Sequence, residues 1–269
     1  MDTIGFIGAG NMAECLVRGI ITAGLYAPDN ILVSDIRPER LEYLAERYGV
    51  RTAADNAELA AEAAILVLSV KPQNMPDALK SIKNRVRPGT LVVSIAAGIR
   101  ISKIADALGD IAIVRVMPNT PALIGAGVSA LFANAKAQPT LPKAQAIFSS
   151  VGSALVLDNE DLMDAVTAVS GSGPAYYFLL TEEIIKAAQQ LGLDSTTAVN
   201  LVLQTAKGSA LLALEAVGSG RTVEQLRRNV TSPGGTTEAA MEVLIQGRFG
   251  HIIQAAVAKA YDKSRQLST

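Results

Sequence analysis

The sequence predicts a mostly parallel α/β domain over residues 1–160 followed by an all-α domain over residues 161–269. In the first part, short apolar runs alternate with amphipathic stretches, the rhythm of parallel strands joined by right-handed helical crossovers. In the second part only helical spacing is found. A glycine-rich turn lies between the first strand and the first helix.

TIGFIG at 3–8 is a short apolar strand, and NMAECLVRGIITAG at 11–24 has helical spacing and ends on glycine. NILVSD at 30–35 is strand-like. PERLEYLAERYG at 38–49 is an amphipathic helix with proline in its first turn and glycine at its end. AAILVLSV at 63–70 reads as a buried strand, preceded by a helix with Asn56 at its N-cap. TLVVSIAAG at 90–98 is another strand and ISKIADALG at 101–109 a short helix. IAIVRVMPNTP at 111–121 is a strand that runs into a proline-bounded turn. GAGVSALFA at 125–133 and SALVLD at 153–158 are two further strands, with a helix over 141–152 between them.

Residues 161–192 hold helical periodicity on both sides of SGSGP, and 195–218 form one long helix. TVEQLRRNV, TTEAAMEVLIQG and FGHIIQAAVAKAYDKSRQ follow as further helices. The alanine-rich helices are apolar over much of their circumference and need partners on several sides, so a homodimer through this half is expected.

Composition narrows the function classes. Of 269 residues 49% are hydrophobic and 18% charged, which suits a large core and not a disordered chain. A net charge of -1 gives no electrostatic case for nucleic acid or an anionic membrane. The single cysteine, Cys15, rules out an intrachain disulfide, and no metal site is expected. No signal peptide or membrane span is read, so a cytoplasmic location is expected.

The first turn, Ile7-Gly8-Ala9-Gly10-Asn11-Met12 followed by Ala13, has the G-x-G-x-x-A form of a dinucleotide fingerprint. Gly8 permits the tight turn, Gly10 lets backbone approach a pyrophosphate, and Ala13 keeps helix and strand close. Asp35 ends the second strand, where it suits the ribose hydroxyls of NAD. Ser34 and Arg37 suit the 2′-phosphate of NADP. The balance favours NADPH, with NADH as the alternative. Asn56, Val70, Lys71, Pro72, Ala96, Ala97 and Asn119 lie at or near further strand ends on the same expected edge, and complete the candidate cofactor set.

The chain's only histidine, His251, lies in the last helix, so no obvious general acid or base is present. The reaction should therefore need little proton chemistry from the protein. A second polar turn, NVTSPGGTTEAAM at 229–241, precedes a helix. Free backbone donors there would bind an anion. An ordinary S-x-x-x-x-T cap explains the same residues.

IGAGNMA, SVKPQ, SIAAGI, MPNTP, DAVTAVSGSGPAY at 164–176 and NVTSPGGTT together resemble the pyrroline-5-carboxylate reductase family, in order over nearly the whole chain. The resemblance implies a Rossmann-type N-terminal domain and a helical dimerisation domain, with rings of dimers in many members. It also implies reduction of a cyclic imine, 1-pyrroline-5-carboxylate, to L-proline with NADPH or NADH, the last step of proline biosynthesis. Hydride delivery to a protonated imine is mainly a matter of positioning.

By the same resemblance Ser232, Gly234, Gly235 and Thr236 seat the substrate carboxylate, and Thr237 contacts the imine nitrogen. Thr237 and Ser232 are thus the candidate catalytic residues, with Asn229, Glu160 and Thr167 near the substrate. Asp35 departs from a clean NADP pattern. Two other readings stand beside this one. A β-hydroxyacid dehydrogenase relative would use a lysine such as Lys186 or Lys207, and a non-enzymatic reductase-like protein would bind nucleotide as a sensor.

Overall fold

The computed structural model describes residues 2–268. The chain divides into two compact units, Met1–Pro174 with Lys259–Thr269, and Ala175–Ala258.

The first unit is built on an eight-stranded sheet of order β3-β2-β1-β4-β5-β6-β7-β8. The strands are β1 (Ile4–Ile7), β2 (Ile31–Ser34), β3 (Arg51–Thr52), β4 (Ile65–Leu68), β5 (Leu91–Ser94), β6 (Ala112–Met117), β7 (Gly127–Ala133) and β8 (Gly152–Val156). From β3 to β6 all pairs are parallel; β7 runs antiparallel to β6, and β8 parallel to β7. The helices of this unit are α1 (Asn11–Thr22), α2 (Pro38–Tyr48), α3 (Asn56–Glu62), α4 (Met75–Ile82), α5 (Ile101–Leu108), α6 (Leu141–Ser149) and α7 (Met163–Val166).

The central strands are mostly apolar because both faces are covered, with Arg115 on β6 as the one charge. Successive side chains point to opposite faces. Phe6, Val33 and Val67 join α1, α2 and α6 through Leu16, Leu44 and Phe148. Ile7, Leu32 and Leu66 join α3, α4 and α5 through Leu59, Leu79 and Ile104. The expected caps of α2 are present, with Pro38 at the start and Gly49 at φ 69° closing the end.

Several expectations need correction. The two-residue strand β3 is exposed and polar, with no apolar run to announce it. α4 was hidden by the prolines of KPQNMP, although Met75, Ala78, Leu79 and Ile82 are buried at helical spacing. The N-cap of α3 is Asp55, whose carboxylate accepts from the Glu58 amide, and Asn56 is the first helical residue. Helix lies on both sides of SGSGP as expected, and within that stretch the helix changes form, with a bend at Ser172. α7 continues through one π-helical turn, Thr167–Gly171, into α8 (Gly173–Gln190). The Met117 side-chain methyl lies over Gly171, 2.6 Å from where a Cβ would stand, so a side chain there would displace it.

The second unit consists of most of α8, then α9 (Ser195–Gly218), α10 (Val223–Asn229), α11 (Thr236–Gln246) and the start of α12 (Phe249–Leu267). Asp194 caps α9 through the Thr197 amide, and Thr222 with Gln225 forms a capping box on α10. Tyr177, Leu214, Val243 and Ile245 are each about 70% exposed, so one copy leaves a large apolar surface uncovered.

α12 re-enters the first unit at Lys259. There the hydroxyls of Ser264 and Ser268 each donate to Asp164 Oδ1 at 2.7 Å, and all three residues are buried. Gly98, at φ +74°, lets the Leu267 carbonyl lie where a Cβ would be only 2.8 Å away. Asp164→Ala removes the buried acceptor of the Ser264 hydroxyl and leaves Ser268 Oγ with the Ser264 carbonyl at 3.0 Å. It should lower stability by about 2 kcal/mol, read as an earlier urea midpoint; an unchanged midpoint would mean that the Ser264 hydroxyl finds solvent.

Candidate active site

The carboxyl ends of β1, β2, β4, β5 and β6 lie side by side, and most of the candidate cofactor residues sit there. Gly8 carries φ +95°, and its N–H donates to the Ser34 carbonyl at 2.8 Å. A Cβ at Gly8 would lie 2.8 Å from the Ser69 carbonyl and 3.1 Å from Val70 Cγ1, so β1 and β4 can meet only over glycine. A Cβ at Gly10 meets nothing within 4 Å, so the loop faces open space. α1 has no side-chain cap, and among the described residues the amides of Gly10, Asn11, Met12 and Ala13 have no hydrogen-bond partner. Four free donors at a helix N-terminus, in front of an open glycine, fit a dinucleotide pyrophosphate.

The β2–α2 turn holds the loop from the side. Asp35 Oδ2 accepts from the Ala9 amide at 2.7 Å. Its Oδ1 accepts from the Arg37 amide and from Arg37 Nε, both at 3.0 Å, and Arg37 Nη2 donates to Oδ2 at 3.2 Å. Burial pushes the Asp35 carboxyl up, but the Arg37 guanidinium and the amides of Ala9 and Arg37 outweigh it and hold the group below its usual value. Asp35 thus stays ionised while Arg37 remains half-exposed. The Ser34 hydroxyl is buried and donates to Asn56 Oδ1 at 2.7 Å, and Asn56 Nδ2 donates to Ser81 Oγ. Ser34 and Asn56 are therefore brought together, each engaged by the other.

Lys71 is exposed at the start of the Pro72–Asn74 turn, and Ala96 is buried just past β5 with Ala97 half-buried beside it. Asn119 is committed to bracing: its Nδ2 donates to the Ser170 carbonyl at 3.2 Å and its Oδ1 accepts from the Val128 amide at 2.9 Å. That bond ties the end of β6 to the π-helical turn. Thr167 begins the turn, with its hydroxyl donating to the Met163 carbonyl. Glu160 is also in the first unit. Its Oε1 accepts from Arg115 Nη1 and from the Ile101 amide, both at 2.9 Å. The Arg115 side chain is only 4% exposed, so this pair is an internal brace between β6, α5 and the approach to α7.

The other turn belongs to the second unit. Asn229 is the exposed last residue of α10. Gly234 takes φ 69°, Gly235 is the N-cap of α11, and no side chain caps that helix. The S-x-x-x-x-T cap is therefore not formed. Instead the Gly235 amide donates to the Ser232 carbonyl at 3.0 Å, and the Gly234 amide donates to Glu238 Oε2 at 2.7 Å. Thr236 and Thr237 open α11, with Thr237 half-buried and Ser232 exposed. A glycine-conformation turn with a carboxylate on its amide has the donor chemistry of an anion seat.

These two turns can be compared with known proteins. Residues 160–267 match the family model described as pyrroline-5-carboxylate reductase dimerisation, and residues 3–98 match that of NADP oxidoreductase coenzyme F420-dependent. The pyrroline-5-carboxylate reductase of Pseudomonas aeruginosa is 43% identical over 267 residues, covering 98% of this chain and 96% of the relative. The chain belongs to the pyrroline-5-carboxylate reductase family.

Solved structures agree. That of a pyrroline-5-carboxylate reductase from Coxiella burnetii superimposes with a TM-score of 0.93 at 39% identity, covering 100% of this chain and 99% of that one. A Plasmodium falciparum pyrroline carboxylate reductase, solved with NADP bound, gives a TM-score of 0.88 at 32% identity over 100% and 98%. The α/β half and the helical half are those of this family.

Sequence reading missed Arg115, Ser69 and Glu238. An arginine inside the apolar run IAIVRVM was the available signal for Arg115, since a charge on a central strand needs a partner. Nothing local singles out the other two. Glu160→Ala should leave the Arg115 charge buried without its counter-ion and cost about 3 kcal/mol. Thermal and urea melts read that loss, and a melt equal to wild type would place the pair in solvent.

Proposed function

We propose that the chain reduces 1-pyrroline-5-carboxylate to L-proline, the final step of proline biosynthesis, with NADPH as the favoured cofactor and NADH as the alternative. The observation that carries this reading is the SPGGTT turn of a full-length family member, whose Gly234 amide already grips a carboxylate, that of Glu238. In the working enzyme the substrate's carboxylate takes that place.

The cofactor lies along the edge that runs from Ile7–Met12 past Ser34, Asp35, Arg37 and Asn56 to Val70–Pro72, Ala96, Ala97 and Asn119. Bound NADPH supplies a hydride to the imine carbon. The free amides of Gly10, Asn11 and Met12 hold its pyrophosphate. Ser232, Gly234, Gly235 and Thr236 hold the substrate carboxylate, with Asn229, Glu160 and Thr167 near the substrate. Thr237 offers its hydroxyl to the imine nitrogen. The nitrogen carries a proton from solvent, so the C=N electron pair has a place to go as the C–H bond forms, and no histidine or lysine is required.

Residues 1–160 serve the nucleotide, and 161–269 serve substrate and self-association. The enzyme works in the cytoplasm as a homodimer, with dimers arranged in a ring. No helix among the described residues is long and apolar enough to cross a membrane, and no metal-ligand cluster is found among them. Of the two lysines a dehydrogenase could use, Lys186 is tied up in ion pairs with Glu182 and Glu183 on an exposed helix face. Hydrogen bonds to Glu182 and Glu183 raise the pKa of Lys186, the opposite of what proton transfer at neutral pH needs.

The purified protein should consume NADPH when given pyrroline-5-carboxylate; no absorbance loss with either NADPH or NADH would reject the reading. Thr237→Ala should lower turnover far more than it changes NADPH affinity. Equal loss of both would make the turn structural. Sedimentation velocity should give a mass of several dimers, and a lone dimer at micromolar concentration would dismiss the ring.

A further inference from the structure

The fingerprint loop is oriented by four hydrogen bonds before any ligand arrives. The Gly8 carbonyl accepts from Ser69 Oγ at 2.6 Å, and the Gly8 amide donates to Ser34. The Ala9 amide donates to Asp35, and the Ala9 carbonyl accepts from Arg40 Nε at 2.9 Å. In a planar trans peptide the C=O of one residue and the N–H of the next point in opposite directions. Drawing the Ala9 carbonyl toward Arg40 therefore turns the Gly10 amide the other way, and that amide has no partner among the described residues.

Arg40 is itself held. Its Nη2 donates to Glu14 Oε2 at 2.8 Å, and Glu14 Oε1 accepts from the hydroxyls of Tyr43 and Tyr48, each at 3.1 Å. The guanidinium also lies 5.0 Å from the centre of the Tyr43 ring. Both charged side chains are about four-fifths buried. Glu14 stands in the first turn of α1, where its charge opposes an incoming phosphate. Pairing with Arg40 cancels that charge. The Arg37 side chain, by contrast, is half-exposed and donates to Asp35.

We propose that Arg40 is a positioning residue for the cofactor's pyrophosphate. It fixes the Ala9–Gly10 peptide so that the Gly10 amide faces the ligand, and it neutralises Glu14 beside it. This rests on the dinucleotide reading of the loop but not on the identity of the imine. The effect belongs to the pyrophosphate, which NADH and NADPH share, and not to the 2′-phosphate, which only NADPH carries.

The test is a fluorescence titration of wild type and Arg40→Gln with NADPH and NADH, with adenosine 2′-phosphate measured by displacement. Arg40→Gln should weaken both dinucleotides alike, by about tenfold, the effect of one charge-assisted hydrogen bond. Adenosine 2′-phosphate, which lacks the pyrophosphate, should bind as before. Arg40→Lys should recover little, because an ammonium cannot reproduce the fork that spans Ala9 and Glu14.

A loss confined to NADPH would make Arg40 a 2′-phosphate ligand and overturn the proposal, as would unchanged affinity for both. Should Arg40→Gln fail to fold, Arg40→Lys keeps the charge but cannot span Ala9 and Glu14, and should weaken both dinucleotides equally; unequal or absent loss there counts against it. A wild type that binds both dinucleotides but does not reduce pyrroline-5-carboxylate would sink the substrate reading alone.

Discussion

Backbone amides must donate to something, and at the head of α1 four in succession have no partner among the described residues. That vacancy is sustained by the sheet beneath it. Gly8 turns at a positive φ because β4 approaches too closely for a side chain, and Ser34, Ser69, Asp35 and Arg40 take up every polar group of Gly8 and Ala9. With the loop's inner groups satisfied, only its outer amides are left for a ligand. The sheet beneath is covered by helices on both faces, so the loop stands on a fully buried support.

Features set by neighbours in sequence were legible in advance. Pro38 and Gly49 bracket α2, the fingerprint follows its strand, and the parallel rhythm through β6 is present as read. Features set by partners far along the chain were not. Arg115 meets Glu160 across 45 residues, Arg40 meets Glu14 across 26, and Asp164 meets Ser264 across 100. No local periodicity encodes such meetings. The antiparallel course of β7 escaped for a similar reason, because a strand's direction depends on how its neighbours are connected and not on its own composition.

The second turn shows the limit from the other side. Its residue types suit a helix cap and an anion seat equally. α11 begins with no side-chain cap, and a carboxylate from its own first turn sits on the Gly234 amide. The resemblance singled out SPGGTT but was silent about Glu238.

The first unit is not contiguous in sequence. Its sheet is finished by Val156, yet the contact between Asp164 and Ser264 waits until about a hundred more residues have been made. At a synthesis rate of about 5–20 residues per second, that interval is about 5–20 seconds. During it the nascent nucleotide domain has only water on the Asp164 carboxylate and over Gly98, where the Leu267 backbone will later lie. The nucleotide domain therefore gains its last packed contacts only after the helical segment has been made.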